Sequence, residues 1–126
     1  MVTIMNAGLV GLAKLCNGTD GVGNFTYIAL GTDDGAEDAA DTTLGAEIVT
    51  NGGERSVCDT CSYEADYKSK WIHTFTFTGD LAVREMCIIS AAADGTMLFR
   101  HLWAAVKNVA NGETMQITVK LTYAEA

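Results

Sequence analysis

The chain contains no proline. Its turns therefore fall to glycine, asparagine and aspartate, which tolerate the backbone angles that tight turns require. Positive charge is scarce: eight Lys and Arg stand against sixteen Asp and Glu, and from Cys16 through Glu54 there is no cation while eight acids occur. With a formal net charge of -8, such a field repels phosphate backbones and anionic lipid. Nucleic acid and membrane are thereby set aside as partners, and a solvated acidic surface or a basic protein partner is left. No apolar run approaches membrane-spanning length. Residues 1–16 hold one cation, Lys14, behind the apolar residues rather than ahead of them, unlike a signal peptide. Synthesis and folding in a cytoplasm are expected, so the triplets Asn17-Gly18-Thr19 and Asn24-Phe25-Thr26 read as turn chemistry.

What is present is a series of short alternating runs. A length of 126 residues suits one domain with a single core, and 48% hydrophobic residues argue against disorder. The sharpest run is residues 71–78, where Trp71, Phe75 and Phe77 alternate with Thr74, Thr76 and Thr78, the period of a strand with one buried face. Beyond it, Gly79-Asp80, Asp94-Gly95 and Asn111-Gly112 separate strands expected over residues 82–90, 96–103 and 114–123. In the last of these Met115, Ile117, Val119, Leu121 and Tyr123 share one face, and Thr114, Gln116, Thr118, Lys120 and Thr122 the other. Residues 71–123 are expected to form a four-strand unit, a meander or a Greek key.

The spacing of Leu9, Leu12, Ala13 and Cys16 predicts a helix over residues 6–16, capped by Asn6 and stopped by Asn17-Gly18. Gly8 and Gly11 each weaken it by about 1 kcal/mol relative to Ala, a cost consistent with close approach to a strand. The glycines of residues 18–23 precede a strand candidate at 25–30, the wrong order for a phosphate cradle. Residues 31–41 read as an exposed acidic loop whose Asp33, Asp34, Glu37, Asp38 and Asp41 do not follow the calcium-loop pattern. Asn51-Gly52-Gly53 is expected to fold residues 46–50 back on the segment from Arg55. Together these elements predict a mainly β protein, an antiparallel β-sandwich with one N-terminal helix.

Cys58-Asp59-Thr60-Cys61 is the sharpest local motif. A structural zinc site needs four ligands, and Cys16 and Cys87 supply no second close pair. A redox dithiol of the thioredoxin kind opens a helix, whereas this motif lies among strands. A disulfide between Cys58 and Cys61, or two inert thiols, is the reading that remains. Of the two histidines, His73 alternates with aromatics as a packed ring does, and no serine elbow or carboxylate pair accompanies it or His101. No catalytic residue, cofactor or metal is assigned, and a thiol- or zinc-dependent enzyme ranks third among the functions considered. Arg84 and Arg100 lie in apolar strands and are expected on the outer face, to pair with Glu85 or with acids of a neighbouring copy. With Asp33, Asp34, Glu37 and Asp38 they make up the candidate interface.

Seven phrases, taken in order, carry a resemblance. They are Asn6-Ala7-Gly8-Leu9; Phe25-Thr26-Tyr27-Ile28-Ala29-Leu30-Gly31-Thr32; Thr42-Thr43-Leu44-Gly45-Ala46-Glu47; Phe75-Thr76-Phe77-Thr78; Val83-Arg84-Glu85; Gly95-Thr96-Met97-Leu98-Phe99-Arg100; and Gly112-Glu113-Thr114-Met115-Gln116-Ile117-Thr118-Val119. The arrangement resembles small structural proteins of tailed bacteriophages. Met86-Cys87 stands where such proteins usually have small residues, and the Cys58 and Cys61 pair is not part of the pattern. The resemblance implies a virion component without an active site. The expectation is a capsid decoration, or cement, protein on the head exterior, a homo-oligomer bound to the major capsid protein, with a small tail or fibre-adaptor protein as the alternative. Contacts are expected from residues 1–6, 31–41 and 58–70.

Overall fold

A computed structural model describes residues 3–123; the remainder of the expected contact segment 1–6, and residues 124–126, lie outside the described residues. The elements are β1 (Thr3–Ile4), α1 (Asn6–Asn17), β2 (Tyr27–Gly31), β3 (Ser56–Val57), β4 (Thr60–Glu64), β5 (Lys68–Thr76), β6 (Leu81–Ile89), β7 (Met97–Val109) and β8 (Thr114–Thr122). They form two antiparallel sheets, a large one ordered β1-β7-β6-β2-β3 and a small one ordered β4-β5-β8. The fold is mainly β, a sandwich with one N-terminal helix.

The four C-terminal strands do not form a meander. β6 and β7 pair as a hairpin in the large sheet, while β5 and β8 pair across the full length of β5 in the small one, so the chain changes sheets before β6 and again after β7. Between the sheets, Trp71, Phe75, Phe77 and Ile117 meet Ile28, Leu30, Val83, Met86, Ile88, Leu98 and Phe99 in the main core. A second cluster, Met5, Ala29, Leu44, Cys87, Ile89 and Met97, lies on the reverse of the large sheet. The centre of the large sheet, where β2, β6 and the first half of β7 meet, is therefore buried on both faces.

The helix packs by its glycines rather than by the expected stripe. Gly8 and Gly11 are buried and Leu12 and Leu15 pack on the core, whereas Leu9 and Val10 are each 54% exposed. The reason is steric: a Cβ at Gly8 would collide with the Leu98 backbone carbonyl, and one at Gly11 would lie 2.8 Å from Thr96 Cγ2. Asn6 is the first helical residue rather than the cap; Met5, extended, occupies that place and makes no side-chain cap. The helix stops at Gly18, left-handed at φ +69°.

Asn51 and Gly52 turn the chain with φ of 58° and 80°, but the flanking residues do not pair with each other. Glu47 bridges Gly31, Ile48 donates to the Leu30 carbonyl, and Ser56 and Val57 pair with Ile28 and Tyr27. Both flanks thus align one after the other along β2, whose edge is the nearer unpaired template.

Candidate interaction surfaces

β6 and β7 direct Glu85 and Arg100 toward the reverse of the large sheet, where both are buried and Arg100 Nε donates to Glu85 Oε1 at 2.6 Å. Two opposite charges in a dry site need their remaining hydrogen-bonding capacity filled. The acidic loop fills it. Glu85 accepts from the backbone N–H groups of Asp33 (3.2 Å), Gly45 (3.1 Å) and Ala46 (3.0 Å), and Arg100 donates to the carbonyls of Gly35 (2.8 Å) and Ala36 (3.2 Å). Asp33 and Asp41 carboxylates complete the shell at 3.5 and 3.4 Å. Burial works against the Arg100 charge, yet the bond to Glu85 and the surrounding carboxylates hold its pKa above the ordinary value.

Arg100 is consequently not on an outer, solvent-facing surface as the strand pattern suggested; the loop folds over it. Arg84 is half-buried and makes no salt bridge among the described residues. Glu37 reaches the edge of β7, where its Oε1 accepts from Leu102 N–H at 2.7 Å. Asp34 and Asp38 remain exposed, Asp38 accepting from Ala40 N–H at 2.8 Å. The helix start abuts the same loop through Asn6 N–H and the Ala39 carbonyl, 2.8 Å apart. Asp34, Asp38, Leu9 and Val10 are among the exposed side chains of this pinned region.

Cys58 and Cys61 are joined in a disulfide at the corner where the chain leaves the large sheet for the small one. Cys58 N–H donates to Thr26 before β2, and Asp59 N–H to Ile72 in β5, so the short ring ties both sheets. The Asp59 carboxylate accepts from Thr74 N–H at 3.0 Å and lies 3.1 Å from His73 Nδ1; these two bonds, the backbone one foremost, lower its pKa.

No Cys–His couple is assembled. Cys87 is buried in the second cluster, away from the core face that β5 presents, and burial pushes its thiol up to about 12. His101 lines a cleft of about 280 Å³ between the sheets with Met86, Phe99, Trp103, Ile117 and Val119. Its Nδ1 lies 3.6 Å from Glu37 and makes no hydrogen bond among the described residues. Among those residues no three His, Cys, Asp or Glu side chains group to hold a metal ion, and no helix is long and apolar enough to cross a membrane.

One group escaped the sequence reading. On the bare face of the small sheet, Lys70 lies directly opposite Lys120, Lys68 opposite Thr122, and Glu64 of β4 sits 3.8 Å from Lys70 and 3.2 Å from Lys120. The signal was the alternation itself, which places these lysines with the outward threonines of β5 and β8. The bond from Lys120 is the main cause of a lowered Glu64 pKa. No protein-family model matches the chain, and no curated protein is significantly similar to it.

Proposed function

We propose that this chain is a structural component of a tailed-bacteriophage virion, a capsid decoration protein that binds the major capsid protein on the head exterior. It works by contact rather than by catalysis. The ordered series of phrases from Asn6 to Val119 supplies the phage reading. The pinned acidic loop is the observation that carries the contact role: Glu85 and Arg100 fix its backbone from beneath, leaving Asp34 and Asp38 outward. A loop ordered in advance loses little conformational freedom on docking, so more of its contact energy survives as affinity.

Cementing needs only preferential binding. A protein that binds the assembled lattice and not free subunits stabilises the lattice by mass action, and repetition multiplies a modest contact energy. Purified virions labelled with an antibody against this protein test the reading. Label spread over the head, at a copy number near that of the shell subunit, is expected; label confined to the tail would replace this reading with a tail adaptor, and no label on any particle would end both.

A further inference from the structure

We propose that copies of this chain associate head to tail, the acidic loop of one copy docking on the lysine-bearing face of the small sheet of the next. The inference goes beyond the virion reading and stands or falls on the purified protein alone.

Of the five cations elsewhere, three are paired, Lys14 with Asp20 at 2.7 Å, Arg55 with Glu47 at 2.6 Å and Arg100 with Glu85 in the interior, while Arg84 and Lys107 stand without an acid partner among the described residues. On the small sheet three cations cluster at one end. Lys68, Lys70 and Lys120 gather around the single carboxylate of Glu64, with Asp66 at the tip of the β4–β5 turn the other acid nearby. Like charges directly opposite on neighbouring strands are unfavourable, and Lys70 and Lys120 are such a pair. Glu64 offsets it only in part, so the face retains an affinity for further carboxylate.

The molecule's own surplus of carboxylate is the acidic loop, where Asp34 and Asp38 are exposed above a rigid backbone. Loop and lysines lie on opposite sides of the sandwich, the loop over the reverse of the large sheet and the lysines on the outer face of the small one. They therefore cannot meet within one copy. Two different surfaces that complement each other make a heterologous contact, which propagates into a row or closes into a ring rather than stopping at a symmetric dimer. The receiving face is a regular sheet surface, and its exposed Thr74, Thr76, Thr114 and Thr118 offer hydroxyls beside the lysines.

Sedimentation velocity of the full chain tests this. At about 0.1 M salt, where screening acts beyond roughly 10 Å, the copies' overall repulsion is damped while contact pairs persist. There the wild type is expected to sediment faster as concentration rises, and to revert to monomer at about 1 M salt, where the screening length falls to about 3 Å. A variant with Lys70→Gln and Lys120→Gln, and another with Asp34→Asn and Asp38→Asn, should each remain monomeric while keeping the wild-type melting temperature. Mixed in equal amounts, they should form a one-to-one dimer and nothing larger, because each retains one working surface. A wild type that stays monomeric at every concentration, variants that associate as the wild type does, or a mixture that grows beyond the dimer would each overturn the proposal.

Discussion

The small sheet leaves its outer face to solvent, whereas the centre of the large sheet is covered on both sides, by the main core on one and by the second cluster and the acidic loop on the other. The same alternation along a strand therefore has different meanings. In β8 the residues facing away from the core are exposed Thr, Gln and Lys. In β6 and β7 the residues facing away from the core include Glu85, Cys87, Ile89 and Arg100, all buried. A strand covered on both faces reads as a nearly continuous apolar run, and a charge within such a run marks an internal ion pair more often than a surface.

The largest effect should come from opening the covered face of the large sheet. Arg100→Ala leaves Glu85 and three backbone amides around an uncompensated charge, a change that costs about 3–5 kcal/mol. Denaturant unfolding should show the loss, and hydrogen exchange should rise across residues 32–46 more than in β8; equal exchange in both regions would detach the loop from the pair. The next test lies at the edge of the same sheet. Gly8→Ala forces a methyl group into the Leu98 carbonyl; overpacking costs about 1–3 kcal/mol, against a helix-propensity gain of about 1 kcal/mol. A net fall in melting temperature is expected, with the helix otherwise retained by circular dichroism.

The corner between the sheets comes third. Cys58→Ser opens a ring so short that the chain-entropy model gives only about 2 kcal/mol, a loss that reduction of the wild type should reproduce. The smallest effect belongs to the exposed face of the small sheet and its border. Asp59 and Glu64 have folded pKa values below their unfolded ones, so their contributions are present above the ordinary carboxylate range, near pH 4, and disappear as pH falls through the lowered values. Stability should decline over that acid limb, and Asp59→Asn should flatten the decline; an unchanged slope would remove Asp59 from the account.

How far the sequence could be read follows from the same contrast. The strands of residues 71–123 were legible because glycine, asparagine and aspartate mark each turn and because β8 has one bare face. The helix was legible in extent but not in orientation: leucine spacing suggested the buried stripe, whereas the approach to Leu98 admits only glycine. The hairpin expected at Asn51 failed because turn residues specify a bend and not what the flanks will pair with, and β2 offered an edge to both. The position of Arg100 was not legible, since nothing local to β7 shows that a loop some sixty residues earlier in the chain will fold over it. The lysine face was legible in principle, because β5 and β8 each carry lysines in the threonine register, but only the pairing of Lys70 with Lys120 shows that they converge.

The bond from Leu102 to Glu37 carries a consequence for solubility during folding. Among the described residues β1 pairs with β7 at Phe99 and Arg100, and an unpaired strand edge is a template on which another chain's strand can add. Glu37 occupies the Leu102 amide with a carboxylate, which takes that donor out of use and places a negative charge where an incoming backbone would lie. The acidic loop is thus also a guard against strand addition at Leu102 on the edge of β7.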